Sequence, residues 1–117
     1  MHKLPMPNQS SPVPPGTLEM LILRTLDLEP MHGYAIAQHI HRLSKDALKI
    51  EEGSLYPALQ RMLAKGWVTA AWKTSATNRR TRVYTLTATG RKQLGIEKAQ
   101  FDAMFGALSR VMKGIRP

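Results

Sequence analysis

The stretch GSLYPALQRMLAKGWVTAAWKTSATNRRTRVYTLT, residues 53–87, carries most of the information about the fold. Its first part predicts a helix from about Ser54 to Lys65, which Gly66 closes as a C-cap. WVTAAWKT and RVYTLT are rich in β-formers and are joined by the polar turn SATNRR, so they predict a β-hairpin. Pro57 fits only the first turn of a helix, or else causes a kink. Either the helix begins near Ser54, or the residues before Pro57 form a separate turn.

Three more helices are predicted around this stretch. The first lies between an N-cap at Thr17 and Pro30, and the second, YAIAQHIHRL, follows Gly33. Thr87 caps a final helix that runs to about Met112. Three helices, a hairpin and a last helix follow the order of a winged helix. The predicted fold class is therefore mainly α with a small β-hairpin: a winged helix-turn-helix plus one long C-terminal dimerisation helix.

The chain divides into three segments by composition. Five of the eight prolines fall before Gly16, among Asn, Gln and Ser, which predicts a flexible Pro-rich N-terminal arm over residues 1–15. Residues 16–87 form the predicted winged DNA-binding domain. Residues 88–117 form the predicted dimerisation helix.

The overall charge limits the function classes. A formal net charge of +9 and a pI near 10.4 point to a polyanionic partner, either nucleic acid or an anionic membrane surface. The absence of cysteine excludes disulfides and thiolate metal sites. No apolar run approaches the roughly 20 residues that span a bilayer, and the N-terminus lacks the apolar core of a signal peptide, so we expect a cytoplasmic protein.

The basic residues concentrate where acidic ones are missing. No Asp or Glu occurs from Gly53 to Ile96. The same window holds eight basic residues, which are Arg61, Lys65, Lys73, Arg79, Arg80, Arg82, Arg91 and Lys92. Because an ordinary solvated surface mixes both signs, this window predicts a surface that must not repel phosphates.

The third helix and the hairpin supply the candidate DNA contacts. The helical wheel places Leu55, Leu59, Met62 and Leu63 on the face that packs against the first two helices. Small, polar or basic residues occupy the opposite face, which suits a major groove, and the arginines of the turn suit phosphates or a narrow minor groove. The candidate DNA-binding residues are Ser54, Tyr56, Pro57, Gln60, Arg61, Lys65, Arg79, Arg80 and Arg82. The alternative is an ordinary solvent-exposed face and turn.

The last helix carries a heptad pattern. Leu94, Phe101, Leu108 and Ile115 recur every seven residues, with Met104, Phe105, Val111 and Met112 beside them. Such a pattern on a terminal helix predicts a partner helix, so these eight residues are the candidate dimer interface. The alternative is packing onto the first helix of the same chain, and both arrangements can hold together.

Residues that carry catalysis or bind metals are not grouped in this sequence. His39 and His41 are two apart on a helix and therefore face different ways, and His32 lies outside that helix. Glu51 and Glu52 suit the positive end of a helix dipole better than acid–base chemistry. No phosphate-binding glycine loop and no nucleophile motif is present, so we expect no enzyme, no cofactor and no metal site.

Four stretches resemble the PadR family of bacterial regulators. They are GTLEMLILRTL, HGYAIAQHI, GSLYPALQRMLAKGWV and NRRTRVYTLTATGR, which together cover about residues 16–92. GSLYPAL is the most specific of them. The single last helix resembles the compact subfamily, and IEEGSLYPALQRM is most similar to its acidobacterial branch. The family tolerates a proline inside its recognition segment, which accounts for Pro57.

The resemblance implies a homodimeric repressor whose third helices recognise a palindrome while the wings bind flanking DNA. Carried over by position, Ser54, Tyr56, Pro57, Gln60 and Arg61 fall in the recognition segment, and Arg79, Arg80 and Arg82 fall in the wing. The resemblance also implies a small aromatic effector as a candidate partner near the dimer interface. In this sequence both tryptophans, Trp67 and Trp72, lie in the hairpin and not in the last helix.

Two other functions compete with DNA regulation. One is a winged-helix module that binds RNA or a protein partner through its basic face, and the other is a basic protein attached to a membrane surface. The acid-free third helix and the heptad pattern favour DNA. The membrane alternative needs a basic amphipathic helix with exposed aromatic residues, which the sequence does not offer.

Overall fold

The structure, a computed structural model, describes residues 11–13 and 16–114. Four helices and five strands lie in that range. They are β1 (Ser11–Pro12), α1 (Leu18–Leu28), β2 (Met31–His32), α2 (Gly33–Leu43), β3 (Leu48–Lys49), α3 (Glu52–Ala64), β4 (Val68–Thr74), β5 (Arg80–Leu86) and α4 (Ala88–Lys113). This order confirms the predicted winged helix-turn-helix with a long last helix.

The hairpin belongs to a three-stranded antiparallel sheet with the order β2-β5-β4. β4 and β5 pair along their whole length, from Val68 opposite Leu86 to Thr74 opposite Arg80. β2 adds a third strand, with Met31 opposite Tyr84. The sequence did not predict β2 because two residues are too few to show an alternating pattern.

Side-chain hydrogen bonds cap the N-termini of two helices. His32 Nδ1 accepts a hydrogen bond from the backbone N–H of Ala35 at 3.2 Å and so caps α2. Thr87 Oγ1 accepts one from the N–H of Gly90 at 3.0 Å, which confirms the predicted cap of α4. Thr17 precedes α1 as predicted, but its side chain makes no capping hydrogen bond.

Pro57 lies inside α3, not in its first turn. The helix begins at Glu52, two residues before the predicted start at Ser54, and runs through Pro57 without a break. Proline has no N–H to bond to the carbonyl of Gly53, four residues earlier. Both residues are exposed, so water can hydrate that carbonyl at low cost. The helix thus begins near Ser54, as the first alternative predicted, but early enough to place Pro57 in the second turn, and no separate turn precedes Pro57.

The core lies between α1, α2, α3 and the base of the hairpin. Its members include Ile22, Leu23 and Leu26 of α1, Ile36 and Ile40 of α2, Leu55, Ala58, Leu59 and Met62 of α3, and Val68, Tyr84 and Leu86 of the sheet. The predicted inner face of α3 is confirmed at three positions. Leu63 is only half-buried, and Ala58 is buried in addition.

The predicted arm over residues 1–15 lies for the most part outside the described residues. Its described end is paired: Ser11–Pro12 form a parallel bridge with Leu48–Lys49. Val13 packs against the core. The end of the arm is therefore attached to the winged domain, in contrast to the flexible segment predicted there.

The start of α4 packs tightly on the hairpin. A β-carbon at Gly90 would collide with the carbonyl oxygen of Trp67. Thr87 Oγ1 donates to the same oxygen at 3.0 Å, and Leu94 joins the core. Glycine is therefore required at position 90 because α4 passes close to the backbone of Trp67, the residue before β4.

Candidate nucleic-acid interface

The outward side of α3 has small residues at its centre and polar residues at its edges. Pro57 and Ala64 lie in the middle, with Gln60 towards one edge and Arg61 towards the other, and all four are exposed. Small residues allow the helix axis to come close to a partner surface. Polar side chains at the edges can then reach groups beside the helix.

One edge of α3 faces the hairpin across an open groove. Tyr56 and Gln60 line the α3 wall, and Trp72, Arg80 and Arg82 line the hairpin wall. The N-terminus of α2 closes one end of this groove with His32, Gly33 and Tyr34. Tyr56, Gln60, Arg79, Arg80 and Arg82, which were predicted from two separate elements, are thus brought to a single surface.

The arginines of the hairpin are less confined to the turn than predicted. The turn spans residues 75–79, with Asn78 at φ +61°, so only Arg79 belongs to it. Arg80 and Arg82 lie on β5 and, two residues apart, point to the same side of the sheet. Each guanidinium lies over an aromatic ring: Arg80 over Trp72 at 5.1 Å and Arg82 over Tyr84 at 5.8 Å from the centroids.

Tyr56 forms the junction between α3 and α2. Its ring is so close to Gly33 that a β-carbon there would lie 2.9 Å from Cε1 of the ring. Burial raises the pKa of the Tyr56 hydroxyl, and the negative charge of Glu52 and the proximity of Tyr84 raise it further. The hydroxyl therefore stays protonated at neutral pH and can donate a hydrogen bond from the groove.

The other edge of α3 faces α1. Nε of Arg61 donates to Oε1 of Glu19 at 2.8 Å. Ser54 and Pro57 line the same side, next to Gly16. Lys65, at the end of the helix, has its ammonium 4.5 Å from the ring centroid of Trp67. The predicted residues of α3 thus form two groups, and Arg61 is on the side away from the hairpin.

Three residues of this surface were not predicted from the sequence. Tyr34 is 63% exposed, and its hydroxyl accepts a hydrogen bond from Nε2 of Gln38 at 2.7 Å. Trp72 is 60% exposed on the groove side of β4. The rings of His32 and Tyr34 are stacked, with their centroids 6.5 Å apart. The alternation of side chains along β4 could have indicated that Trp72 faces the groove. His32 and Tyr34 are far from α3 and the hairpin in sequence, and only the folded structure places them at the groove.

α4 presents a continuous apolar face beyond the core. Phe101, Met104, Phe105, Leu108, Val111 and Met112 are each between 47% and 83% exposed. We call these six residues the apolar face of α4. The rings of Phe101 and Phe105 are stacked, with their centroids 6.0 Å apart.

The assignment of Leu94 to the dimer interface needs correction. Leu94 is 8% exposed and packs in the core of its own chain, so it offers little surface to a partner. Ile115 lies outside the described residues.

Residues 11–13 and 16–114 contain no group of three or more side chains suited to a metal ion. His41 instead bonds to the carbonyl oxygen of Leu48 at 3.0 Å and to Asp46 at 3.2 Å. Of the helices in the described range, none is long and apolar enough to cross a membrane.

Comparison with known proteins gives a consistent result. Residues 22–96 match the model of the transcriptional regulator PadR-like family. A protein from Streptococcus mutans is 28% identical with a TM-score of 0.78, over 92% of this chain and 97% of its own. A PadR family regulator from Eggerthella lenta is 27% identical, with a TM-score of 0.71 over 86% of this chain and 85% of its own.

A PadR family transcription regulator from Clostridium difficile gives a similar result. It is 25% identical, with a TM-score of 0.72 over 83% of this chain and 99% of its own. No curated protein matches the chain. The family, and the Eggerthella lenta and Clostridium difficile proteins among these neighbours, are regulators of transcription and not enzymes.

Proposed function

The chain belongs to the PadR-like family of transcriptional regulators, and on that basis we propose that it is a sequence-specific homodimeric repressor. In this proposal it binds a palindromic operator with α3 in the major groove and the hairpin on flanking DNA. The observation that carries the proposal is the groove between α3 and the hairpin, where Gln60 and Tyr56 face Arg80 and Arg82. Hydrogen-bonding groups for base edges and cations for phosphates thus lie side by side.

The charges of this surface support a nucleic-acid partner. Of the eight basic residues in the acid-free window, Arg61 and Arg91 pair with Glu19 and Asp27 of α1. The other six make no ion pair within residues 11–13 and 16–114. Three of these six, Arg79, Arg80 and Arg82, line the groove. Unpaired cations can neutralise phosphates, and the release of counterions then drives binding to a polyanion.

The apolar face of α4 supports the dimeric part of the proposal. α4 has 26 residues and so spans about 39 Å. Of these residues only Gly90 and Leu94 are buried, both in its first two turns. The remainder presents six large apolar side chains on one side, more than a monomer of this size ordinarily exposes in one patch. A second α4 would cover them.

The contacts of α4 with α1 and the core suggest where the winged domain ends and the dimerisation segment begins. Arg91 bonds to Asp27 of α1 at 3.1 Å, and Leu94 packs in the core. We therefore propose that the winged domain includes the start of α4 as far as Leu94, and that the dimerisation segment begins after it. The aromatic effector implied by the family resemblance stays a prediction, with no residue assigned to it.

The proposal is tested by competition. Labelled 30-bp duplexes selected by the protein from a randomised library compete against structured RNA, unselected duplex and anionic vesicles. Selected DNA should outcompete all three, and sedimentation should give a complex of two chains per duplex. Equal competition by RNA would favour the RNA-binding alternative, and selection of no sequence would contradict the proposal.

A further inference from the structure

The ion pair between α1 and α3 uses one nitrogen of the Arg61 guanidinium. Oε1 of Glu19 accepts from Nε at 2.8 Å, across 42 positions of sequence. The Nη1 and Nη2 edge of the guanidinium makes no hydrogen bond with the described residues. Because a guanidinium is planar and rigid, fixing Nε also fixes the direction in which the Nη1–Nη2 edge points.

Glu19 is the better fixed of the two partners. Its side chain is 16% exposed, whereas that of Arg61 is 55% exposed. Glu19 also lies in the first turn of α1, where the positive end of the helix dipole favours a carboxylate. The carboxylate is therefore part of the scaffold, and the arginine extends from it towards solvent on the outward side of α3.

We propose that Glu19 is a positioning residue that holds the Nη1–Nη2 edge of Arg61 for a guanine in the major groove. The inference rests on the proposed function, in which α3 lies in that groove. Guanine offers two acceptors there, O6 and N7, and their spacing matches two parallel N–H groups of one guanidinium. An arginine oriented in advance loses less side-chain freedom when it makes this contact.

The adjacent carboxylate argues for a base rather than a phosphate. Glu19 offsets the positive charge of Arg61, which weakens a contact that depends on net charge but leaves the directional donors intact. Arg79 and Arg80 have no such carboxylate among the described residues and suit phosphates better. The structure thus separates arginines that bind DNA by charge from one that recognises a base by geometry.

The test compares matched variants on defined duplexes. The wild-type protein first selects its preferred sequence from a 30-bp duplex library. Each guanine of that sequence is then replaced in turn by the other three bases. Affinities are measured for wild type, Glu19→Ala, Arg61→Ala, the double variant and Arg61→Lys. Asp27→Ala is the control, because Asp27 is also an acid of α1 that accepts from an arginine Nε, that of Arg91, at 3.1 Å.

Glu19→Ala should lower the preference for guanine at one position by about tenfold while affinity for the substituted duplexes stays the same or rises. Arg61→Ala and Arg61→Lys should lose the same preference, and the double variant should lose no more than Arg61→Ala. Asp27→Ala should leave every base preference unchanged. Should Glu19→Ala fold poorly by circular dichroism, Glu19→Met keeps the side-chain volume without the acceptor.

Two results would overturn the inference while leaving the proposed function intact. One is an unchanged guanine preference in folded Glu19→Ala or Glu19→Met. The other is an equal loss of affinity for all duplexes in Arg61→Ala, which would make Arg61 a phosphate contact. Failure of the wild type to select any sequence would contradict the proposed function itself.

Discussion

The guanidinium of Arg80 lies over the indole ring of Trp72, 5.1 Å from its centroid. The two residues are diagonal neighbours across the hairpin, since Trp72 is directly opposite Arg82 and Arg80 is opposite Thr74. The exposed indole restricts where the Arg80 side chain can go, and it shields one face of the cation from water. The hairpin therefore presents this arginine in a limited set of directions.

Replacing Trp72 with alanine should weaken binding to every duplex. Without the ring the Arg80 side chain is freer before binding, so fixing it on DNA costs about 0.5–1.5 kcal/mol more, which corresponds to about two- to twelvefold in affinity. Trp72→Phe retains a ring and should behave like the wild type. The salt dependence should not change in either variant because no charge is removed, and titrations at several salt concentrations check this. A smaller salt slope in Trp72→Ala would contradict the explanation.

Affinity for duplex DNA should fall steeply with salt. If a dimer neutralises about 6–10 phosphates, affinity should drop by about 10³–10⁵ between 50 and 200 mM salt. Fluorescence anisotropy with a labelled duplex measures the slope. A flat response would exclude the groove between α3 and the hairpin as a phosphate-binding surface.

Residues of the turn and of α3 should differ in their effect on specificity. Arg79→Ala should weaken binding to all sequences and reduce the salt slope by about one, as expected for a phosphate contact. Gln60→Ala should cost about 1–3 kcal/mol on the preferred sequence and relax the preference at one base pair. Binding to a panel of single-substitution duplexes separates the two patterns. Equal weakening on every duplex by both variants would mean that α3 does not recognise bases.

Leu108→Glu should give a folded but monomeric protein with weak operator binding. Leu108 is 56% exposed in the single chain, so a charge there costs the fold little, but it would be buried without a partner in a dimer. Ile96→Glu is the control, since Ile96 is 45% exposed on another side of α4. Sedimentation and circular dichroism measure both variants. A dimeric Leu108→Glu would place the interface elsewhere.

Two glycines of α4 should respond to alanine in opposite ways. Gly90→Ala should destabilise the protein by about 1–3 kcal/mol or more, because the new methyl group would meet the backbone at Trp67. Gly95→Ala has nothing within 4 Å of the added carbon. It should stabilise the helix by about 0.5–1 kcal/mol, the difference in helix propensity. Urea unfolding of the two variants gives the comparison, and a tolerated Gly90→Ala would contradict the close contact.

The sequence predicts the elements and their faces better than it predicts their contacts. Leu55, Leu59 and Met62 are buried as the helical period requires, because periodicity reflects one helix against one core. The pair of Arg61 with Glu19 depends on how α1 crosses α3, which no local pattern contains. Likewise, Arg80 and Trp72 meet only once the strand register is known. Leu94 fits the heptad as well as Phe101 does, and only the packing of α4 on α1 separates them.

A single residue, Thr87, separates the last hairpin strand from α4. Its single hydroxyl proton is shared between the carbonyl oxygens of Gly66 at 2.6 Å and Trp67 at 3.0 Å, and its oxygen accepts from the N–H of Gly90, so the junction can move little. In a dimer held by α4, the angle between the two helices would therefore be passed on directly to the positions of the two hairpins on DNA. One additional base pair between half-sites turns them by about 34° relative to each other. With a rigid junction of this kind, the dimer would bind operators with one half-site spacing and would bind weakly to operators whose spacing is one base pair longer or shorter.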